Sequence, residues 1–181
     1  RIVYDLVNVI EGACKLNQAM ISDKHNYELY LIPAAQTRDK SSIDPEQLRE
    51  MCAELEKEFD YVLIDCPAGI EQGVKNATAA AQEAIIVTTP EVSAIRDADR
   101  VIGLLESSGL HRPTVIINRI AAAMVKRGDI MDQEDVESRL VAEDIRLVPA
   151  DEHTGVAANR GIPVGDNPKS AAGGAVLRIA A

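Results

Sequence analysis

The chain reads as a three-layer α/β domain, a mostly parallel sheet with helices on its faces. Short, near-continuous apolar runs recur along its 181 residues, and helix-start and helix-stop signals fall between them. The hydrophobic content of 46% is almost wholly aliphatic, with only 3% aromatic residues. Strands covered on both faces lose the in-and-out alternation of half-exposed strands and read as unbroken Val, Ile and Leu runs. Alternation of strand and helix implies crossover connections, right-handed by default, and hence a parallel sheet. The length suits a single domain, residues 1–181, with a substantial core.

Five strands are expected, at residues 29–32, 61–64, 84–87, 114–117 and 145–148. The clearest helix start is Asp44-Pro45-Glu46-Gln47, with a capping Asp, Pro at the first helical position and Gln at the third. Beyond it Leu48, Met51, Cys52, Leu55 and Phe59 share one helical stripe, which assigns Cys52 to the core. Ser93 is expected to cap a second helix that runs to about Ser108 and stops at Gly109. Asp132 is expected to cap a third that carries Val136 and Leu140. Gly173-Gly174 falls inside the last helix, where each glycine weakens helicity by about 1 kcal/mol relative to Ala, so this is expected to be the least secure element.

Composition narrows the function classes. With 29 acidic against 19 basic residues the formal charge is -10, and no run of Lys or Arg offers a patch for nucleic acid or anionic lipid. The three cysteines, Cys14, Cys52 and Cys66, form no C-x-x-C pair, which suits a reducing cytosol. His25, His111 and His153 have no ligand-spaced partner and are expected on the surface or in loops.

In an open parallel sheet, ligands bind beyond the carboxyl ends of the strands. Those ends read Asp65-Cys66-Pro67, Thr88-Thr89-Pro90, Asn118-Arg119 and Pro149-Ala150-Asp151-Glu152. An apolar run that stops at Asp65 is one way to present a carboxylate to Mg²⁺, which keeps most of its waters and needs few protein ligands. Pro67 lacks an N–H for a sheet ladder, and Gly69 lets backbone approach a ligand closely. The same run is equally what any strand ending in a turn looks like. No G-x-x-x-x-G-K-[ST] phosphate loop occurs in the 181 residues. Either the carboxylate serves something else or the glycine loop precedes Arg1, and the lack of an initial Met favours the second option.

Several longer stretches carry a resemblance. They are Ile2-Val3-Tyr4-Asp5 through Gly12, Leu31 through Lys40, Asp60 through Glu71, and Thr88 through Arg100. Ile117-Asn118-Arg119, Met124 through Asp129, and Asn159-Arg160-Gly161-Ile162-Pro163-Val164 complete the set. Together they resemble the MinD family, within the ParA/MinD group of deviant Walker-A ATPases, over essentially the whole chain. The resemblance implies a P-loop NTPase-like sheet missing its first strand and helix. It further implies ATP and Mg²⁺ as cofactors, a homodimer when ATP is bound, and slow hydrolysis stimulated by MinE. Asp65 becomes the catalytic, magnesium-associated carboxylate, acting through water. Gly69 falls in the loop that senses the terminal phosphate, and Asn118 and the backbone around Pro149 lie near the adenine. The helix starting near Ser93 becomes the surface where MinC and MinE compete, which makes Glu91, Ser93, Asp97 and Asp99 partner contacts.

From spacing alone, Asp97 and Asp99 are a solvated helix face in the first turns, with Asp97 paired to Arg100, and Asn118 is an ordinary turn residue. The family ends in a basic amphipathic helix that holds the full-length protein on the inner face of the cell membrane, whereas Leu177-Arg178-Ile179-Ala180-Ala181 stops short of one. This chain alone is therefore expected not to bind membrane and, without a glycine loop, not to hydrolyse ATP. Two alternatives stand beside the ATPase switch. A ParA-type partition ATPase or iron–sulfur carrier would call for basic surface or paired cysteines. A nucleotide-free interaction module would keep only the sheet and the partner helix.

Overall fold

A computed structural model describes residues 3–26, 28–34, 43–66 and 72–181. The chain divides into two compact units, Arg1–Ala81 and Gln82–Ala181, each with its own architecture.

The first unit contains α1 (Leu6–Ile10), α2 (Leu16–Ala19), β1 (Ile21–Ser22), β2 (Tyr30–Leu31), α3 (Pro45–Leu55) and α4 (Gln72–Ala80). Helix α3 starts as its sequence dictates, with the Asp44 side chain accepting from the Glu46 N–H at 2.9 Å and Leu48, Cys52 and Leu55 buried. It packs on α4, where Val74 and Ala77 are buried. Arg49 Nε of α3 donates to the Ala79 carbonyl of α4 at 3.0 Å, and Asn76 Nδ2 of α4 donates to the carbonyl of Ile43, just before the α3 cap, at 2.9 Å.

Two of the five expected strands take a different course. Residues 29–32 contribute only Tyr30–Leu31, which pairs antiparallel with β1 in the register Ile21↔Leu31 and Ser22↔Tyr30. The cause is local: the Asp23 side chain accepts from the His25 and Asn26 amides, each at 2.8 Å, and so closes a turn that folds the run back on its neighbour. Residues 61–64 join neither sheet among the described residues. Their burial still alternates, with Tyr61 and Leu63 exposed and Val62 and Ile64 half-buried, but no neighbouring strand completes a ladder.

The second unit holds β3 (Ile85–Thr88), α5 (Val92–Ser107), β4 (Thr114–Ile120), α6 (Ala122–Arg127), α7 (Gln133–Glu137), β5 (Asp144–Pro149), α8 (Glu152–Asn159) and α9 (Ala171–Ala180). Its three strands form a parallel sheet in the order β3-β4-β5, with Val87 opposite Ile116 and Ile116 opposite Arg146. Because side chains alternate along a strand, β4 serves two layers. Val115 and Ile117, both 0% exposed, pack with Ile95, Ile102 and Leu105 of α5 and with Val136 of α7. Ile116 faces a second cluster formed by Val148 with Ala172, Ala175 and Ile179 of α9. This is the expected α/β sandwich, a parallel sheet with helices on both faces.

The helix ends refine three expectations. Helix α5 starts at Val92 with Glu91 in the cap position, so Ser93 is inside the helix and caps nothing, while Gly109 at φ +88° provides the left-handed turn after it. Asp132 caps α7 through a reciprocal box with Asp135, but the helix stops at Glu137 and Leu140 is buried just beyond it. Helix α9 runs unbroken through both glycines. A Cβ at Gly173 would collide with the Val164 carbonyl oxygen at 2.5 Å and with that of Asn167, so a close approach requires this glycine.

Candidate functional site

Since β3, β4 and β5 are parallel, their carboxyl ends share one edge of the second unit, where Thr88, Asn118 and Pro149 lie. The ladder between β4 and β5 slips between Ile117 and Ile120, so Asn118 and Arg119 bulge out before pairing resumes at Ile120 and Pro149. Arg119 adopts φ +64°, rare for a residue with a side chain, and its N–H donates to Asn118 Oδ1 at 2.9 Å. That bond uses the Asn118 oxygen, and the Nδ2 donors have no acceptor among the described residues. Pro149 has no N–H, so its backbone offers the edge only a carbonyl. The structure thus brings Asn118 and Pro149 together on adjacent strands, and the ladder continues one bond further, from the Ala150 N–H to the Ile120 carbonyl at 2.9 Å.

Next along the chain is a residue that strand-end reading named without assigning it a role. The Asp151 side chain is 7% exposed. Its Oδ1 accepts from the His153 N–H at 2.9 Å and stands 2.8 Å from His153 Nδ1, while Oδ2 accepts from the Ala172 N–H at 3.1 Å. The bond from Ala172, then those from His153, hold the carboxyl down at about 2. A carboxyl lowered on folding contributes stability above its unfolded value near 3.8, and that contribution is lost as pH falls through about 2. Its bond to Ala172 spans 21 residues, which no local pattern discloses.

Asp65 is exposed in the first unit and has no hydrogen-bond or ion-pair partner among the described residues. Gly69 lies outside them. Glu91, Ser93, Asp97 and Asp99 are all exposed, spread from the cap position of α5 to its middle. Asp97 and Asp99 lie past the first turn, where the influence of the helix end has faded, and Asp97 pairs with Arg100 at 3.3 Å as its spacing predicts. Glu91 also borders an open groove of about 380 Å³ lined by Pro90, Val92, Val125, Met131 and Asp132.

Comparison with known proteins fixes the family. A family model described as an AAA domain matches residues 2–109. The septum site-determining protein MinD of Bacillus subtilis is 50% identical over 99% of this chain and 68% of its own length. The chain belongs to the MinD family. Two MinD structures share its fold. In the MinC:MinD cell division protein complex of Aquifex aeolicus, the match has a TM-score of 0.87 and 42% identity, covering 98% of this chain and 71% of that one. In MinD from Pyrococcus horikoshii complexed with Mg-ADP, it has a TM-score of 0.77 and 28% identity, covering 95% and 70%. This MinD-family chain spans 61% of the length of the Guillardia theta relative and 68% of the Bacillus subtilis one. Among the described residues no helix is long and apolar enough to cross a membrane.

Proposed function

We propose that this chain supplies the base-side edge and the partner face of a MinD-type ATPase switch in division-site placement. The observation that carries the reading is the placement of Asn118, in the bulge at Asn118-Arg119, and Pro149, the ladder partner of Ile120, on adjacent strands at one sheet edge. An amide with open donors beside a backbone carbonyl complements a purine that offers ring acceptors and an exocyclic amine, so the residues fit adenine. Asp65, exposed and without a hydrogen-bond or ion-pair partner among the described residues, suits a hydrated cation that takes few protein ligands. Bound Mg²⁺ would supply charge neutralisation at the phosphates. In this reading Asp65 orients the cation's water, Gly69 belongs to the terminal-phosphate loop, and Asn118 and Pro149 select the base.

The phosphate loop would come from sequence preceding Arg1, as would the lysine that reaches across an ATP-bound homodimer. Glu91, Ser93, Asp97 and Asp99 would meet MinC, the partner in the Aquifex complex, and MinE. Membrane attachment, at the inner face of the cell membrane, would use a segment following Ala181. A partition ATPase is disfavoured by the -10 charge, and a carrier by the absence of paired cysteines.

ATP turnover measured on this chain and on one extended by the preceding segment tests the reading. The chain alone should show none, and the extended protein should turn over slowly with Mg²⁺. On the extended protein, Asp65→Ala should lower turnover about tenfold or more while the melting temperature holds. Robust turnover by the chain alone would overturn the assignment, as would wild-type turnover by the Asp65 variant. An extended protein that binds no ATP would favour the nucleotide-free interaction module.

A further inference from the structure

One carboxylate ties the base-side edge to the last helix. Asp151 follows Ala150, whose N–H makes the final ladder bond to Ile120, two residues beyond Asn118 in the bulge. Its two oxygens divide their work: Oδ1 caps α8 through the His153 N–H, and Oδ2 reaches the Ala172 N–H in the first turn of α9. Each helix start carries orphan donors and a partial positive charge, so one anion satisfies both ends at once. Helix α9 has a cap of its own, since Ser170 Oγ accepts from the Gly173 N–H at 2.9 Å. The bond from Asp151 therefore adds to a helix start that is already capped.

We propose that Asp151 is a positioning residue of the base-side edge: by capping α8 and α9 together it makes the end of β5 at Pro149–Ala150 and the first turn of α9 open and close as one unit. The inference rests on the base-side reading for its consequence in binding. Contacts within the chain alone support the mechanical link.

The chemistry supplies its own discriminator. At an ordinary N-cap, Asn serves about as well as Asp. A clamp needs two acceptor oxygens, and an amide side chain has one. Amide hydrogen exchange of the chain without nucleotide reads this directly. Asp151→Asn should keep the His153 amide near its wild-type rate through the local cap, while the Ala172 amide exchanges about tenfold faster or more. Wild-type exchange at Ala172 in that variant would overturn the clamp. Coupling is also reciprocal, so Ser170→Ala, which loosens α9 from its own side, should speed exchange at Ala150 and His153. A rise confined to α9 would sink the proposal.

In the protein that includes the preceding segment, Asp151→Asn should weaken ADP binding by about fivefold. Unchanged affinity would remove the positioning role even if the exchange data show a clamp. If the wild-type protein bound no ADP, the base-side reading would fail, and with it the role of Asp151 in binding, while the exchange data would still decide whether the clamp exists.

Discussion

Tyr61-Val62-Leu63-Ile64 and Thr114-Val115-Ile116-Ile117 are both short, β-prone apolar runs leading into a polar residue, Asp65 in one and Asn118 in the other. The second run forms the middle strand of a parallel sheet, flanked on both sides, with Val115 and Ile117 fully buried. The first has no ladder partner among the described residues, and Tyr61 and Leu63 are each 86% exposed. Since propensity is nearly the same, the difference lies in pairing. A strand is stabilised by cross-strand neighbours and by layers packed on its faces, and β-propensity largely reports that fit. Strand β3 shows the intermediate case: Ile86 is buried against α5, while Ile85 and Val87 on the opposite face are exposed.

Truncation at each run sharpens the contrast and gives the largest effect expected. Ile117→Ala removes fully buried methyl groups from the larger core cluster and should cost about 2–5 kcal/mol. Leu63→Ala should stay within about 0.5 kcal/mol, as surface changes do. Urea unfolding of both variants measures the difference. A Leu63 loss comparable to that of Ile117 would mean that the first run is covered in solution, and the contrast would dissolve.

Local chemistry was legible from sequence. The Asp44 cap with Pro45 behind it, the Asp132 cap and three of the five strands follow from side chains within a few residues of one another. What an apolar run does not disclose by itself depends on partners outside the run. The hairpin at Tyr30–Leu31 depends on the turn at Asp23, and a strand at residues 61–64 would depend on a neighbour to pair with. Ser93 is a good capping residue by type, but Glu91 and Val92 start the helix before it. The candidate site divides the same way. Asn118 and Pro149 stand at the ends of apolar runs in the sequence, whereas the continuation of β4 to Ile120, the bulge that presents Asn118 and the bond from Asp151 to Ala172 belong to the tertiary structure.

The two glycines of α9 give a smaller contrast. Propensity treats them alike, each costing about 1 kcal/mol against Ala. Packing separates them. At Gly173 a new methyl would meet the carbonyl oxygens of Val164 and Asn167 and the Ser170 hydroxyl that caps the helix. At Gly174 the nearest atom is the Pro168 carbonyl oxygen at 3.1 Å. Gly173→Ala should therefore destabilise by about 1–3 kcal/mol through overpacking. Gly174→Ala should fall near zero, with the propensity gain of about 1 kcal/mol offsetting a tight contact. Denaturant midpoints decide this, and equal shifts for the pair would show that propensity alone governs α9.

The smallest effect on stability is expected at Asp97 and Asp99, which is what makes them useful for testing the proposed partner face. They flank buried Ala98 and, two residues apart, point about 200° from one another around α5. Both are exposed, and the pair between Asp97 and Arg100 at 3.3 Å is of the surface kind, worth about 0–1 kcal/mol. Replacing either with Ala should barely move the unfolding midpoint, so a change in MinC or MinE affinity would report binding rather than folding. Asp99 has no ion-pair partner among the described residues and keeps its charge available, whereas Arg100 already neutralises part of the charge on Asp97. Asp99→Ala should therefore weaken the partner more than Asp97→Ala, with ATP affinity unchanged in both. The reverse order would place the docking side on the Arg100 flank of the helix. Unchanged affinity in both would make the two carboxylates an ordinary solvated helix face.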